Sequence, residues 1–85
     1  MLEEKNRMNL TNLKRTCDAC PSQWDGTFED GERFYARYRW GSFTVDKNEV
    51  EIFRRQIGDE LDGVMTTSEM LDIVREIGIT YNERH

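Results

Sequence analysis

Arg33-Phe34-Tyr35-Ala36-Arg37-Tyr38-Arg39-Trp40 alternates without a break, with Phe34, Ala36, Tyr38 and Trp40 on one side and Arg33, Tyr35, Arg37 and Arg39 on the other. Successive side chains of a strand point to opposite faces, so this stretch reads as a half-buried strand: the apolar side faces a core and the arginine side faces water. Upstream, Trp24, Gly26 and Phe28 alternate with Gln23, Asp25 and Thr27, which marks a second strand. Between the two, Glu29-Asp30-Gly31-Glu32 supplies a hairpin connection whose Asp-Gly pair gives the positive φ that such turns demand. Downstream, Gly41 permits a tight reversal into a third strand, Ser42-Phe43-Thr44-Val45.

Residues 46–58 carry two patterns. Asp46 with Glu49 makes a capping box, and Val50, Phe53 and Ile57 have helical spacing. Against that, Asp46-Lys47-Asn48-Glu49 is turn-like, and Val50, Ile52, Phe53 and Ile57 are β-branched or aromatic, as suits a strand that bulges near Phe53. We read this segment as strand. Residues 58–63 then form a loop, and a second capping box, Thr66 with Glu69, opens a helix. Its apolar stripe is Met70, Ile73, Val74 and Ile77, and Gly78 stops it. Beyond Met1, residues 1–16 contain only Leu2, Met8, Leu10 and Leu13 as large apolar groups, and read as a mobile or weakly helical arm.

The fold class expected is therefore α+β: an antiparallel meander of three to four strands over about residues 22–57, with one C-terminal helix over about 67–77 packed on one face. A single domain would run from 17 to 80, with 81–85 a loose tail. Trp24, Phe28, Phe34, Tyr38, Trp40, Phe43, Val45, Met70, Ile73 and Ile77 are the core predicted from the pattern.

At 85 residues the chain is one small domain at most, too small for an elaborate catalytic cleft. Its 36% apolar and 11% aromatic content with a single Pro is that of a folding sequence, not a disordered one. No run approaches the ~20 apolar residues of a membrane span, and residues 1–12 are charged where a signal peptide has its apolar centre. The expectation is a cytoplasmic protein with reduced thiols.

The net charge of −5 is unevenly placed, because residues 46–85 hold ten acidic against five basic groups, and residues 59–74 have no Lys or Arg at all. Asp59, Glu60, Asp62, Glu69 and Asp72 thus predict an acidic surface, either a solvated face or one that imitates nucleic-acid phosphates and occupies a basic groove on a partner. Catalytic constellations fail on inventory: the lone His is His85, and no P-loop, nucleophile elbow or dinucleotide-binding glycine pattern is present. Asp59, Asp62 and Gly63 lack the alternate ligands and closing Glu of a calcium loop. Cys17 and Cys20 have metal or redox spacing but supply half of a tetrahedral zinc site, so zinc would need carboxylates such as Asp18 or Asp25, or a second chain. A redox role lacks the helix that would activate the first thiol, since Pro21 and a strand follow. No cofactor is assigned.

Arg33, Tyr35, Arg37 and Arg39 interleave guanidinium groups with an aromatic ring on an open sheet, which suits phosphates and bases. The overall acidity opposes this, and Asp25, Glu29, Asp30 and Glu32 stand close enough in sequence to pair with these arginines. Three readings follow in order. The first is a nonenzymatic protein that sets its acidic surface against a basic site of a partner protein. The second is a nucleic-acid-binding sheet using the Arg/Tyr face, and the third is a zinc-linked homodimer. None specifies the oligomeric state.

In the segments Cys-Pro-Ser-Gln-Trp-Asp-Gly (20–26) and Asp-Gly-Glu-Arg-Phe-Tyr-Ala-Arg-Tyr-Arg-Trp-Gly (30–41) the chain resembles small uncharacterised proteins of bacteria and their phages. The resemblance spans roughly residues 20–63 and brings no catalytic or binding residues with it. It implies a short phage or mobile-element protein, a context in which proteins often inhibit a host or defence component, anti-CRISPR proteins among them.

Overall fold

Two hairpins with two-residue loops set the frame. In the computed structural model, which describes residues 8–18, 22–58 and 64–81, strand β3 (Arg33–Arg39) returns through Trp40-Gly41 into β4 (Ser42–Lys47), and β4 returns through Asn48-Glu49 into β5 (Val50–Gln56). Both central residues of each loop have positive φ: 56° and 75° in the first, 54° and 74° in the second. This is the turn type whose twist matches that of the flanking strands. The registers follow directly, with Arg39 opposite Ser42 and Lys47 opposite Val50.

The fold differs from the expected three-to-four-strand meander. β1 (Asn9–Asp18) pairs antiparallel with β2 (Ser22–Phe28), and a short β6 (Thr80–Tyr81) adds parallel to β1. The result is a six-stranded mixed sheet in the order β5-β4-β3-β2-β1-β6, curled into half a barrel, with one short helix, α1 (Thr67–Arg75). The helix is not the last element. Gly78, at φ 93°, turns the chain, Ile79 N–H donates back to Val74 O (3.1 Å), and Thr80 N–H donates to Met8 O (3.0 Å) to start β6.

Residues 9–16, read from sequence as part of an arm, belong to β1, and Leu10 is 1% exposed. Two register shifts conceal this strand, one between Leu10 and Asn12 and the other between Arg15 and Cys17. Each leaves one extra residue, Thr11 or Thr16, that bends and twists the strand. A third shift, between Val45 and Asp46, leaves Ile52 as the extra residue of β5. Tyr81, counted with the tail from sequence, lies in β6, and residues 82–85 fall outside the described residues.

The core occupies the inner side of the curl. Trp24, Phe34, Ala36, Tyr38, Phe43 and Val45 from the strands meet Met65, Met70, Val74 and Ile79 from α1 and its flanks, all buried. Phe28 meets Phe34 edge to face at 5.7 Å, a favoured aromatic geometry. Trp24 Nε1–H donates to Thr67 Oγ1 (2.9 Å) and Met65 N–H to Ser22 Oγ (3.0 Å), so the start of α1 is bonded to the middle of the sheet. Ile73 and Ile77 are only half-buried at the margin. Trp40 is corrected outright: it was read as core but is 61% exposed, because the alternation ends one residue earlier, where the turn begins.

Both sheet edges are blunted. β6 has two residues, and β5 carries a bulge and the charges Glu51, Arg54 and Arg55, devices that discourage pairing with another chain.

Candidate functional site

The outer face of the sheet is built in rungs. Arg37 stands opposite Thr44, and Thr44 opposite Arg54. The next rung toward the turn holds Arg39, Ser42 and Gln56, and the rung on the other side holds Tyr35, Asp46 and Glu51. At Ser42 and Thr44 the middle strand thus contributes short hydroxyl side chains where its neighbours contribute the longer Arg37, Arg39, Arg54 and Gln56. A hollow of about 210 Å³ results, lined by Arg37, Arg39, Trp40, Ser42, Thr44 and Arg54. Arg37 and Arg54 are two strand spacings apart, roughly 10 Å between Cα atoms, a distance over which two guanidinium groups can converge on one anionic chain.

The arginines differ in what holds them. Among the described residues no carboxylate pairs with Arg37 or Arg39; the cross-strand neighbours of Arg37 are Gln23 and Thr44. The Arg39 guanidinium lies over the Trp40 ring at 4.3 Å. Arg54 is held by Glu51, with Nε and Nη2 donating to the two carboxylate oxygens at 3.0 and 2.9 Å, and its Nη1 reaches Ser42 Oγ at 3.4 Å. The hydrogen bonds from Arg54 hold the Glu51 carboxyl below its ordinary value, and Glu51 in turn raises Arg54.

Of the four residues singled out on this face, Arg37 and Arg39 line the hollow. Arg33 sits at the far end beside Glu49 (3.7 Å), and Tyr35 lies between Asp25 and Asp46 in register. That half of the face is electrostatically closed to an anion. Trp40 and Arg54 were missed. Trp40 had been assigned to the core, and Arg54 reaches the outer face only because the extra residue Ile52 shifts the register of β5 by one. The two-residue turn at Trp40-Gly41 was the one available signal for the tryptophan.

The acidic surface is largely outside what can be described: Asp59, Glu60 and Asp62 lie outside the described residues. Glu69 is engaged in its own helix cap, accepting from Thr66 N–H at 2.9 Å, and Asp72 pairs with Arg75. Both line a groove of about 480 Å³ with Ile57, Val64 and Ile73, larger than the arginine hollow but without a cation. Cys17 is a half-buried free thiol opposite Gln23, and Cys20 lies outside the described residues. No cluster of three or more His, Cys, Asp or Glu side chains that could hold a metal occurs among the described residues. Nor is any described helix long and apolar enough to cross a membrane.

No family model, curated protein or solved structure matches the chain.

Proposed function

We propose that this is a nonenzymatic, cytoplasmic binding protein that recognises single-stranded nucleic acid on the outer face of its sheet, with Arg37 and Arg39 on phosphates and Trp40 beneath a base. The observation that carries this reading is the Trp40 corner. A large aromatic residue stands exposed in a left-handed conformation that favours Asn or Gly, beside two arginines without carboxylate partners among the described residues. Such backbone strain costs on the order of 1–3 kcal/mol and gathers at functional positions. One face of Trp40 carries Arg39, and its exposure leaves the other for a base. An unstacked base requires a single strand, since a duplex hides its π-faces.

The net charge of −5 does not decide the matter, because an anion at the hollow meets the local field, and its lining residues include three arginines and no acid. Affinity should be modest and steeply salt-dependent. Two arginines contacting a single-stranded ligand give a slope of log affinity against log salt of about −1.4, a loss of about sevenfold between 50 and 200 mM. The test is fluorescence anisotropy of labelled oligothymidylate and oligouridylate, with a duplex control. Trp40→Ala should weaken binding by about 5- to 150-fold, from stacking worth roughly 1–3 kcal/mol per base. Arg37→Ala should flatten the slope by about 0.7. No binding of either strand at low salt rejects the reading.

The 480 Å³ groove keeps a second reading in play, in which Glu69 and Asp72, with the acidic stretch 59–62, meet a basic site of a host or defence protein. A nuclease-resistant protein partner whose capture is lost in Glu69→Gln would select it. An unchanged capture by that variant would reject this surface.

A further inference from the structure

The Arg54 fork is the best-formed anion contact on the outer face, and it is filled from within. Glu51 presents both carboxylate oxygens to Nε and Nη2 at 3.0 and 2.9 Å, the side-on bidentate geometry in which a guanidinium also receives two phosphate oxygens. The remaining Nη1 points to Ser42 Oγ at 3.4 Å, inside the hollow. Arg54 and Glu51 are exposed, at 60% and 43% of their side-chain surface, and only three residues apart, so the pair is of the weak, solvent-screened kind that a better anion can displace. Two features of the chain bring it about. The two-residue turn at Asn48-Glu49 places Glu51 opposite Asp46, and the extra residue Ile52 then puts Arg54, with Glu51, on the outer face opposite Thr44.

We infer that Arg54 with Ser42 forms a second phosphate position next to that of Arg37 and Arg39, and that Glu51 occupies it as an intramolecular stand-in until a ligand phosphate displaces it. This rests on the reading of the face as a site for single-stranded nucleic acid. Glu51 is then a residue that lowers affinity, because while its carboxylate holds Arg54 the ligand is left with the phosphate contacts of Arg37 and Arg39. The exchange also has an electrostatic penalty: the displaced carboxylate, with Asp46 beside it in register, remains close to the incoming phosphate.

The experiment is a salt titration of oligothymidylate binding for the wild type, Glu51→Gln, Arg54→Ala and the double variant, each checked for folding by its thermal melt. Glu51→Gln keeps the side-chain shape and removes the competing charge. It should tighten binding about 1.5- to 5-fold, the range set by an exposed ion pair, and steepen the salt slope by about 0.7, from one further phosphate contact. In the Arg54→Ala background the same substitution should leave the slope unchanged. Glu51→Ala, which retains no hydrogen-bonding group, should repeat the gain. A wild type that binds, with Glu51→Gln equal or weaker and its slope unaltered, overturns the inference while leaving the reading of the face intact. Absence of binding in the wild type and in Glu51→Gln alike overturns both.

Discussion

Gly26 lies on the inner side of β2, opposite Leu13 of β1 and Phe34 of β3. A Cβ built on it would stand 2.6 Å from the backbone oxygen of Asn12, about 0.8 Å short of the 3.4 Å at which ordinary contact begins, and 3.5 Å from Leu10 Cδ2 and Leu13 Cδ1. The obstructing atom is main chain, so no rotamer change relieves it. β1 would have to retreat from β2, stretching the pairs on both sides of the bulge at Thr11. In an open strand position Gly→Ala restricts the unfolded chain and stabilises by about 0.4–1 kcal/mol. Here crowding of about 1–3 kcal/mol opposes that gain. The net expectation for Gly26→Ala is a loss of roughly 1–2 kcal/mol, or a fall in Tm on the order of 4–16 °C for a domain of this size. Thermal melts followed by circular dichroism measure it. An unchanged or raised Tm refutes the close approach of β1 to β2, and with it the bulged pairing that brings residues 9–16 into the sheet.

Two further outcomes follow from the same geometry. Trp40→Asn places the preferred residue at the first position of the turn, so Tm should hold or rise by a few degrees while nucleic-acid binding falls; a lower Tm would show that the Arg39 stack outweighs the backbone strain. Asp30 has its carboxyl lowered from 3.8 by the Glu32 amide and by Lys47, so its contribution is fully present above the unfolded value and is lost as pH falls through the folded one. Asp30→Asn should therefore melt below the wild type at neutral pH, with the difference closing as pH drops below 3.8, and a gap that persists in acid would contradict the assignment.

What could be read in the sequence was whatever alternates cleanly. β2, β3 and β4 pair without a register shift, and every large apolar residue on their inner side is buried. The capping box Thr66–Glu69 marked the start of α1 because both of its reciprocal hydrogen bonds are local. Trp40 continued the alternation of β3 by one residue and so passed for core; a period of two does not reveal where a two-residue turn begins. β6 has only two residues and is recruited by Met8 and Asn9, some seventy residues away, a contact that no local pattern records. On the outer face, Arg37 and Arg39 were legible from their own strand. Their difference from Arg33 was not, because it lies in the neighbours that the register supplies: Glu49 beside one, Thr44 and Ser42 beside the others.

The misread segments share one cause. A bulge inserts a residue between two inward-facing positions, so the apolar spacing becomes three where a regular strand gives two or four. Leu10 and Leu13 are separated in this way by Thr11, and Val50 and Phe53 by Ile52. A spacing of three is also the signature of a helix face, which is why residues 9–16 read as part of a weakly helical arm and residues 46–58 as ambiguous, while residues 1–7 of that arm lie outside the described residues. The same insertions bend β1 and β5, the strands flanking the three regular ones, and so assist the curl that encloses a core with so few residues. At β5 the insertion does more. Were Ile52 paired with Val45 in a regular ladder, Phe53 would stand opposite Thr44 on the outer face and Arg54 would turn toward Phe43 and the core. The register shift exchanges them: Phe53 packs edge to face on Phe43 at 6.2 Å, and Arg54 joins Arg37 and Arg39 around Ser42 and Thr44. The register shift thus closes the core at that edge and completes the cationic hollow; deleting Ile52 leaves Phe53 opposite Val45 and Arg54 opposite Thr44 in a regular ladder, so anion binding should survive that deletion, whereas Arg54→Ala should weaken it.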